Sequence, residues 1–185
     1  MNSNKYYNFA KNELFPICRS ITGKGTEQTL KKIQRFFPKL KIYKIKSGTK
    51  IFDWKIPDEW NIKNAYVIDK YQNKIIDFKK NNLHIVGYSK PIKKRLTKKE
   101  LLNKIYSLPA QPDAIPYVTS YYKKDWGFCT TDIVRKLIVK NYTKNDKFDI
   151  LIDTSFKKNG YLQYGEYFIK GKTSKEIIIS TYICH

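Results

Sequence analysis

Residues 175–185 read KEIIISTYICH. Ile177, Ile178 and Ile179 follow one another, and Tyr182 and Ile183 continue the apolar run. β-Branched side chains favour extended backbone, and apolar residues on both faces of the pleat fit a strand covered on both sides. Such strands belong to sheets with helices on each face, so the stretch predicts an α/β fold. His185 then stands at the C-terminal tip of that strand, where α/β proteins build their sites. An imidazole there is a candidate zinc ligand. Alternatively His185 is a terminal residue without a role. Cys184 points to the opposite pleat face and is expected to be a small buried residue.

Working back from this strand, Asn159-Gly160 is a tight-turn signal between two apolar runs, and KFDILIDTSF before it predicts a strand. WGFCTTDIVRKLIVK reads as a short strand leading into a helix, with Asp132 at the cap or in the first turn. Three prolines within residues 109–116 mark an ordered connector. Ahead of it, TKKELLNKIYSLP predicts a helix capped by Thr97, with Glu100 in the capping-box position. NLHIVGYS predicts a strand, NAYVIDKYQNKIIDFK a hairpin closed by KYQN, and KIYKIKSGTKIFDWKIP two short strands around SGT. The N-terminal forty residues are helical in period: one helix ends at Pro16, and a second, with Thr26 as candidate cap, ends before Pro38. The period thus changes near residues 41 and 120. This suggests one domain of residues 1–40 and 121–185 and a β-rich segment of residues 41–120 inserted into it.

The chain has 185 residues, 41% of them hydrophobic and 15% aromatic. That is too rich for a disordered chain and long enough for a core. The net charge of +21 raises the possibility of a polyanionic partner. Only four of the 37 basic residues are arginine, the side chain favoured for phosphate clamps and base readout, and the lysines are dispersed. Lys, Asn, Ile and Tyr are all inflated together, as in proteins from AT-rich genomes. The charge therefore argues against a nucleic-acid partner. A basic module that docks an anionic glycan, a membrane surface or nucleic acid without catalysis is the alternative to an enzyme. Three widely spaced cysteines form no disulfide framework, and no run has the length of a signal core or membrane span. A reducing, cytoplasmic location is expected.

No GxxxxGK[ST], GxSxG, HExxH or zinc-finger spacing occurs, so no complete catalytic constellation is present and no catalytic residue is assigned. His84, alternating with apolar neighbours, is expected to be structural. Asp113 and the tyrosines of PYVTSYYKKDWGFC either line a cleft or pack at a domain junction. CRSITGKG, with Arg19, has the composition of an anion-holding loop.

LFPICRSITGKGTEQTL, IKSGTKIFDWKIPDEWNIKNAYV, IIDFKKNNLHIVGYSKP, LPAQPDAIPYVTSYYKKDWGFC, LQYGEYFIKG and IIISTYICH, in this order, resemble the N-terminal part of a bacterial family. Its members are aminopeptidase-like proteins labelled polysaccharide-biosynthesis proteins with an aminopeptidase-like domain. The resemblance implies a partial zinc-aminopeptidase-like α/β core interrupted by a small β-rich inserted domain. It implies that His185 matches the first metal-ligand histidine and that the other ligands and the general base lie downstream. The chain alone is then expected to be inactive and to bind no zinc tightly, although the full-length family uses zinc. The implied substrate is a small peptide-like or amino-sugar-derived molecule. Arg19, Tyr121, Tyr122 and Trp126 are the candidate substrate-binding residues.

Overall fold

The computed structural model describes residues 3–183. The helices are α1 (Ser3–Phe9), which runs on into a π-type turn at Ala10–Leu14, α2 (Lys24–Phe36), α3 (Lys98–Leu102) and α4 (Asp132–Asn141). The strands are β1 (Lys41–Lys46), β2 (Lys50–Ile51), β3 (Trp54–Lys55), β4 (Glu59–Ile68), β5 (Lys74–Asp77), β6 (Ile92–Thr97), β7 (Ile105–Tyr106), β8 (Phe128–Cys129), β9 (Lys147–Lys157) and β10 (Tyr161–Glu166). The fold is a mixture of helices and small sheets. Contacts divide the chain into two compact units, one of residues up to 60 with those from 156 onward, the other of residues 61–155. The chain passes into the second unit within β4 and leaves it within β9. The junctions expected from the change of period lay at 40 and 120. The expected junction at 40 falls inside the first unit because β1, just past it, pairs with β10, and that at 120 falls inside the second because β6 and β9 pair on either side of it.

In the first unit, Gly23, with φ 98°, is the N-cap of α2. This left-handed backbone suits glycine, and it displaces Thr26 from the expected cap. Thr26 is instead buried inside the helix and donates to the Ser20 carbonyl. Gly25 allows the tightest approach: an added Cβ would lie 1.9 Å from the Cys18 carbonyl oxygen. Leu30, 2% exposed, is the buried apolar residue of α2. It reaches Gly165 of β10, where a Cβ would come within 3.0 Å of it. β10 pairs antiparallel with β1 from Lys41↔Glu166 to Lys46↔Tyr161, and Tyr43 stacks on Tyr164 across the pair at 5.2 Å. Gly48, at φ 88°, turns the chain into the small β2–β3 hairpin. Thr22 accepts from the Trp60 amide at 3.0 Å, fixing the loop before α2 to the start of β4.

The strand expected over residues 175–184 is not formed within the described residues. Residues 167–183 have no regular structure, and Ile177, Ile178 and Ile179 are about nine-tenths exposed (92%, 88% and 90%). Apolar patterning supplies the propensity for a strand, but a strand exists only through ladder bonds to a neighbour. No strand of the described residues pairs with this segment.

The second unit is built on a four-stranded sheet of order β5-β4-β9-β6. Its core is apolar: Val67, Ile76, Phe148, Ile150 and Ile152 are almost wholly buried. The β4–β5 hairpin forms as expected, pairing Val67 with Ile76. Asp69 closes its turn by accepting from the amides of Tyr71 (2.9 Å) and Asn73 (2.8 Å) and from the Tyr142 hydroxyl (2.7 Å). β6 and β9 are antiparallel from Ile92↔Ile152 to Thr97↔Lys147. β6 forms from IKKRLT, a basic segment not among the expected strands. Its charges are those of an edge strand, where they discourage pairing with other chains. Arg95 grips Asp149 across the pair with two 2.7 Å bonds.

Thr97 caps α3 in the predicted capping box with Glu100. The helix is shorter than expected and stops at Leu102, because Ile105–Tyr106 pairs in parallel with Phe128–Cys129. Thr131 caps α4, and Asp132 sits in its first turn, 2.9 Å from Lys136. NLHIVGYS is not a regular strand. It forms a 3-10 turn at Asn82–His84 and two isolated bridges, Ile85 to Phe128 and Gly87 to Thr119.

Candidate functional site

Residues that follow the proline connector, together with Val86 and Tyr106, build a pocket in the second unit. The parallel β7–β8 pair fixes the register Ile105↔Phe128, which sets Lys104 beside Asp125 and Trp126. Lys104 donates to Asp125 Oδ1 at 2.6 Å, and its ammonium lies 5.3 Å from the centre of the Trp126 ring. The Trp126 amide donates to the same Oδ1 at 2.8 Å. The Lys104 ammonium and this amide together hold the Asp125 carboxyl below the usual range. Gly127 permits the pairing, since a Cβ there would lie 3.0 Å from the Lys104 carbonyl and from the Tyr106 ring.

A second wall comes from Val118–Tyr122. Gly87 and Thr119 bridge in parallel, and Ser120 returns its amide to the Gly87 carbonyl at 2.8 Å. Next to it Tyr88 has φ 63°, an unusual conformation for a bulky residue. Neighbouring contacts hold it there. The Ser89 hydroxyl donates to the Val86 carbonyl (2.6 Å), and the Ser89 carbonyl accepts from Thr154 (2.8 Å). The buried Tyr88 ring meets Tyr121 edge-on at 4.9 Å, and Tyr121 shares a 2.8 Å hydroxyl hydrogen bond with Tyr117. Tyr122 stands perpendicular to Tyr121 and is 83% exposed. The pocket is open to solvent on one side and measures about 270 Å³.

The structure therefore brings together three of the residues singled out from the sequence, Tyr121, Tyr122 and Trp126, on one cavity. Sequence reasoning missed Lys104 and Asp125. Their only local signal was the Asp-Trp step in KKDWGF, because the partner arrives through a two-residue parallel pairing. Arg19 belongs to the first unit, is 8% exposed and donates to the Leu14 carbonyl. That bond ties the end of the π-type turn to the loop that follows. His185 and Cys184 lie outside the described residues. His84 is structural: its Nδ1 is 2.8 Å from the Cys129 carbonyl, and burial lowers its pKa. Asp113 is exposed on the connector.

Burial pushes the thiols of Cys18 and Cys129 up to about 12, so neither is a ready nucleophile. Among the described residues no three His, Cys, Asp or Glu side chains converge on a point that could hold a metal ion. These residues alone do not fit a zinc centre. No helix among them is long and apolar enough to cross a membrane.

The fold and the pocket define a mixed helix-and-strand protein with a ligand-sized cavity in its second unit. The chain belongs to the family described as "Domain of unknown function (DUF2172)", whose model matches residues 59–155. Those limits nearly coincide with the second unit. A protein of Clostridium acetobutylicum named "Putative polysaccharide biosynthesis protein with aminopeptidase-like domain" is 47% identical over 173 residues, covering 94% of this chain and 38% of its own length. A solved structure, described as a "putative peptidase" from the same organism, matches with a TM-score of 0.81 at 46% identity. It covers 92% of this chain and 38% of that one. The chain thus spans about two-fifths of the length of the relatives it matches.

Proposed function

We propose that the chain contributes substrate recognition to an aminopeptidase-like hydrolase whose catalytic zinc is held largely by residues not among these 185. The observation that carries this reading is the likeness to the "putative peptidase" structure over 92% of the chain. The reaction would be hydrolysis of an amide bond next to a free amine by a metal-activated water. His185 supplies one ligand, and Tyr121, Tyr122 and Trp126 contact the substrate. Residues 61–155 are then a recognition domain inserted into the peptidase-like part. A catalytic zinc needs about three protein ligands and an open position, so one histidine cannot hold it.

Calorimetric titration of the chain with zinc, and an aminoacyl-anilide assay with zinc present, test the reading. Only weak zinc binding and no turnover are expected of the chain alone. A tight stoichiometric site or measurable hydrolysis would overturn it.

A further inference from the structure

We propose that the pocket of the second unit binds one uncharged sugar ring, stacked on its aromatic walls. The proposal names the substrate class for the aromatic residues assigned above and rests on their contacting substrate. It does not need the zinc chemistry. Four aromatic side chains, Tyr106, Tyr121, Tyr122 and Trp126, border a single cavity of about 270 Å³. That is close to the lower end of ligand pockets, roughly 300 Å³, and suits a single ring better than an extended chain. Aromatic faces carry negative electrostatic potential and attract the weakly positive C–H groups on the face of a saturated ring. The walls are already held in place. Tyr121 is fixed by Tyr88 and Tyr117, and Trp126 by Lys104 and the Asp125 carboxylate.

The charges of the pocket select a neutral ligand. A cage of aromatic rings with one carboxylate would ordinarily suit an ammonium ion. Here the Asp125 carboxylate is already paired with Lys104, and Lys123 also borders the cavity. A cation therefore meets no uncompensated negative charge. Lys104 is likewise taken up by Asp125, and Lys123 is exposed to solvent, so an anion meets no desolvated, unpaired cation either. A hydroxyl group needs neither. Both bonds that hold Asp125 end on Oδ1, so Oδ2 is left to accept from ligand hydroxyls, with the Thr119 and Ser120 side chains on the same rim. A neutral ring rich in hydroxyls matches both the apolar faces and these acceptors.

The test is saturation-transfer NMR on the full chain with methyl glucoside, N-acetylglucosamine, glycyl-glycine and inorganic phosphate. At least one of the two sugars should bind saturably, with a dissociation constant on the order of 1 mM for so small a ligand. Tyr122→Ala, at a position too exposed to support the core, should weaken that binding roughly threefold to tenfold through loss of one aromatic contact. Asp125→Asn should weaken it as well while the chain stays folded. Absence of saturation by either sugar, or sugar binding indifferent to Tyr122→Ala, would overturn the proposal. Preferential binding of phosphate or of the dipeptide at this pocket would overturn it too, the dipeptide result leaving the hydrolase reading intact. Sugar binding without any zinc-dependent hydrolysis in the full-length relative would uphold the pocket and overturn the hydrolase reading instead.

Discussion

Gly25→Ala sets helix propensity against a steric clash, and the structure decides which wins. Gly25 is the second residue of α2, where alanine should gain up to about 1 kcal/mol over glycine. The added Cβ would, however, stand 1.9 Å from the Cys18 carbonyl oxygen and 2.9 Å from its carbon. That is more than ~1 Å inside the roughly 3.3 Å at which carbon and oxygen normally touch. Both atoms are main chain, so no rotamer relieves the overlap, and the loop before α2 must move. That loop is fixed by the Thr22 bond to Trp60 and by Arg19 on the Leu14 carbonyl. Overpacking of this kind costs about 3 kcal/mol at the upper end, leaving a net loss of about 2 kcal/mol. For a chain of this size the loss lowers Tm by roughly 4–8 °C. Differential scanning calorimetry measures it, with Gly171→Ala as control, where a Cβ meets only the Thr173 carbonyl at 3.9 Å. A Gly25→Ala protein that melts at or above the unsubstituted chain would refute the reasoning, because propensity would then have outweighed the clash.

Three further outcomes are expected. Tyr142→Phe removes the 2.7 Å bond to Asp69 and should cost about 1–2 kcal/mol in a urea titration, while a Tyr142 left unbonded in solution would give no change. Asp125 has a depressed folded pKa, so its pairing stabilises the fold above the ordinary aspartate pKa near 4 and is lost as pH falls through the lower folded value. Melting curves between pH 7 and pH 3 should therefore lose up to about 1 kcal/mol more in the natural chain than in Asp125→Asn, the figure being small because the pair is partly exposed. With its thiol wholly buried and pushed up to about 12, Cys129 should resist a thiol reagent at pH 8 until denaturant is added, as mapped by mass spectrometry. Rapid native labelling of Cys129 would contradict its burial.

What could be read in advance was what is local. The Thr97–Glu100 capping box, the β4–β5 hairpin and the strand-to-helix step at Phe128–Asp132 depend on residues a few positions apart, and all three are present. The β1–β10 pairing joins residues more than a hundred positions apart, and its register carries no mark in either strand alone. β6 was hidden because Lys93, Lys94 and Arg95 look like a solvated loop, yet an edge strand accepts such residues. The aromatic side of the pocket was legible as a cluster in SYYKKDW. Its charged side was not, since Lys104 reaches Asp125 only through the short parallel pair.

The uncovered isoleucines at residues 177–179 also govern how the molecule behaves as a colloid. With a formal charge of +21, individual molecules repel one another in dilute buffer, and that repulsion keeps the greasy segments from meeting. Added electrolyte shortens the reach of the repulsion to about 8 Å at physiological ionic strength but leaves the attraction between apolar segments in place. Solubility should therefore fall as salt is raised, the reverse of ordinary salting-in. Lys172 and Lys175, a few residues before the isoleucines, are charges near this segment, and their neutralisation should lower the salt at which precipitation begins.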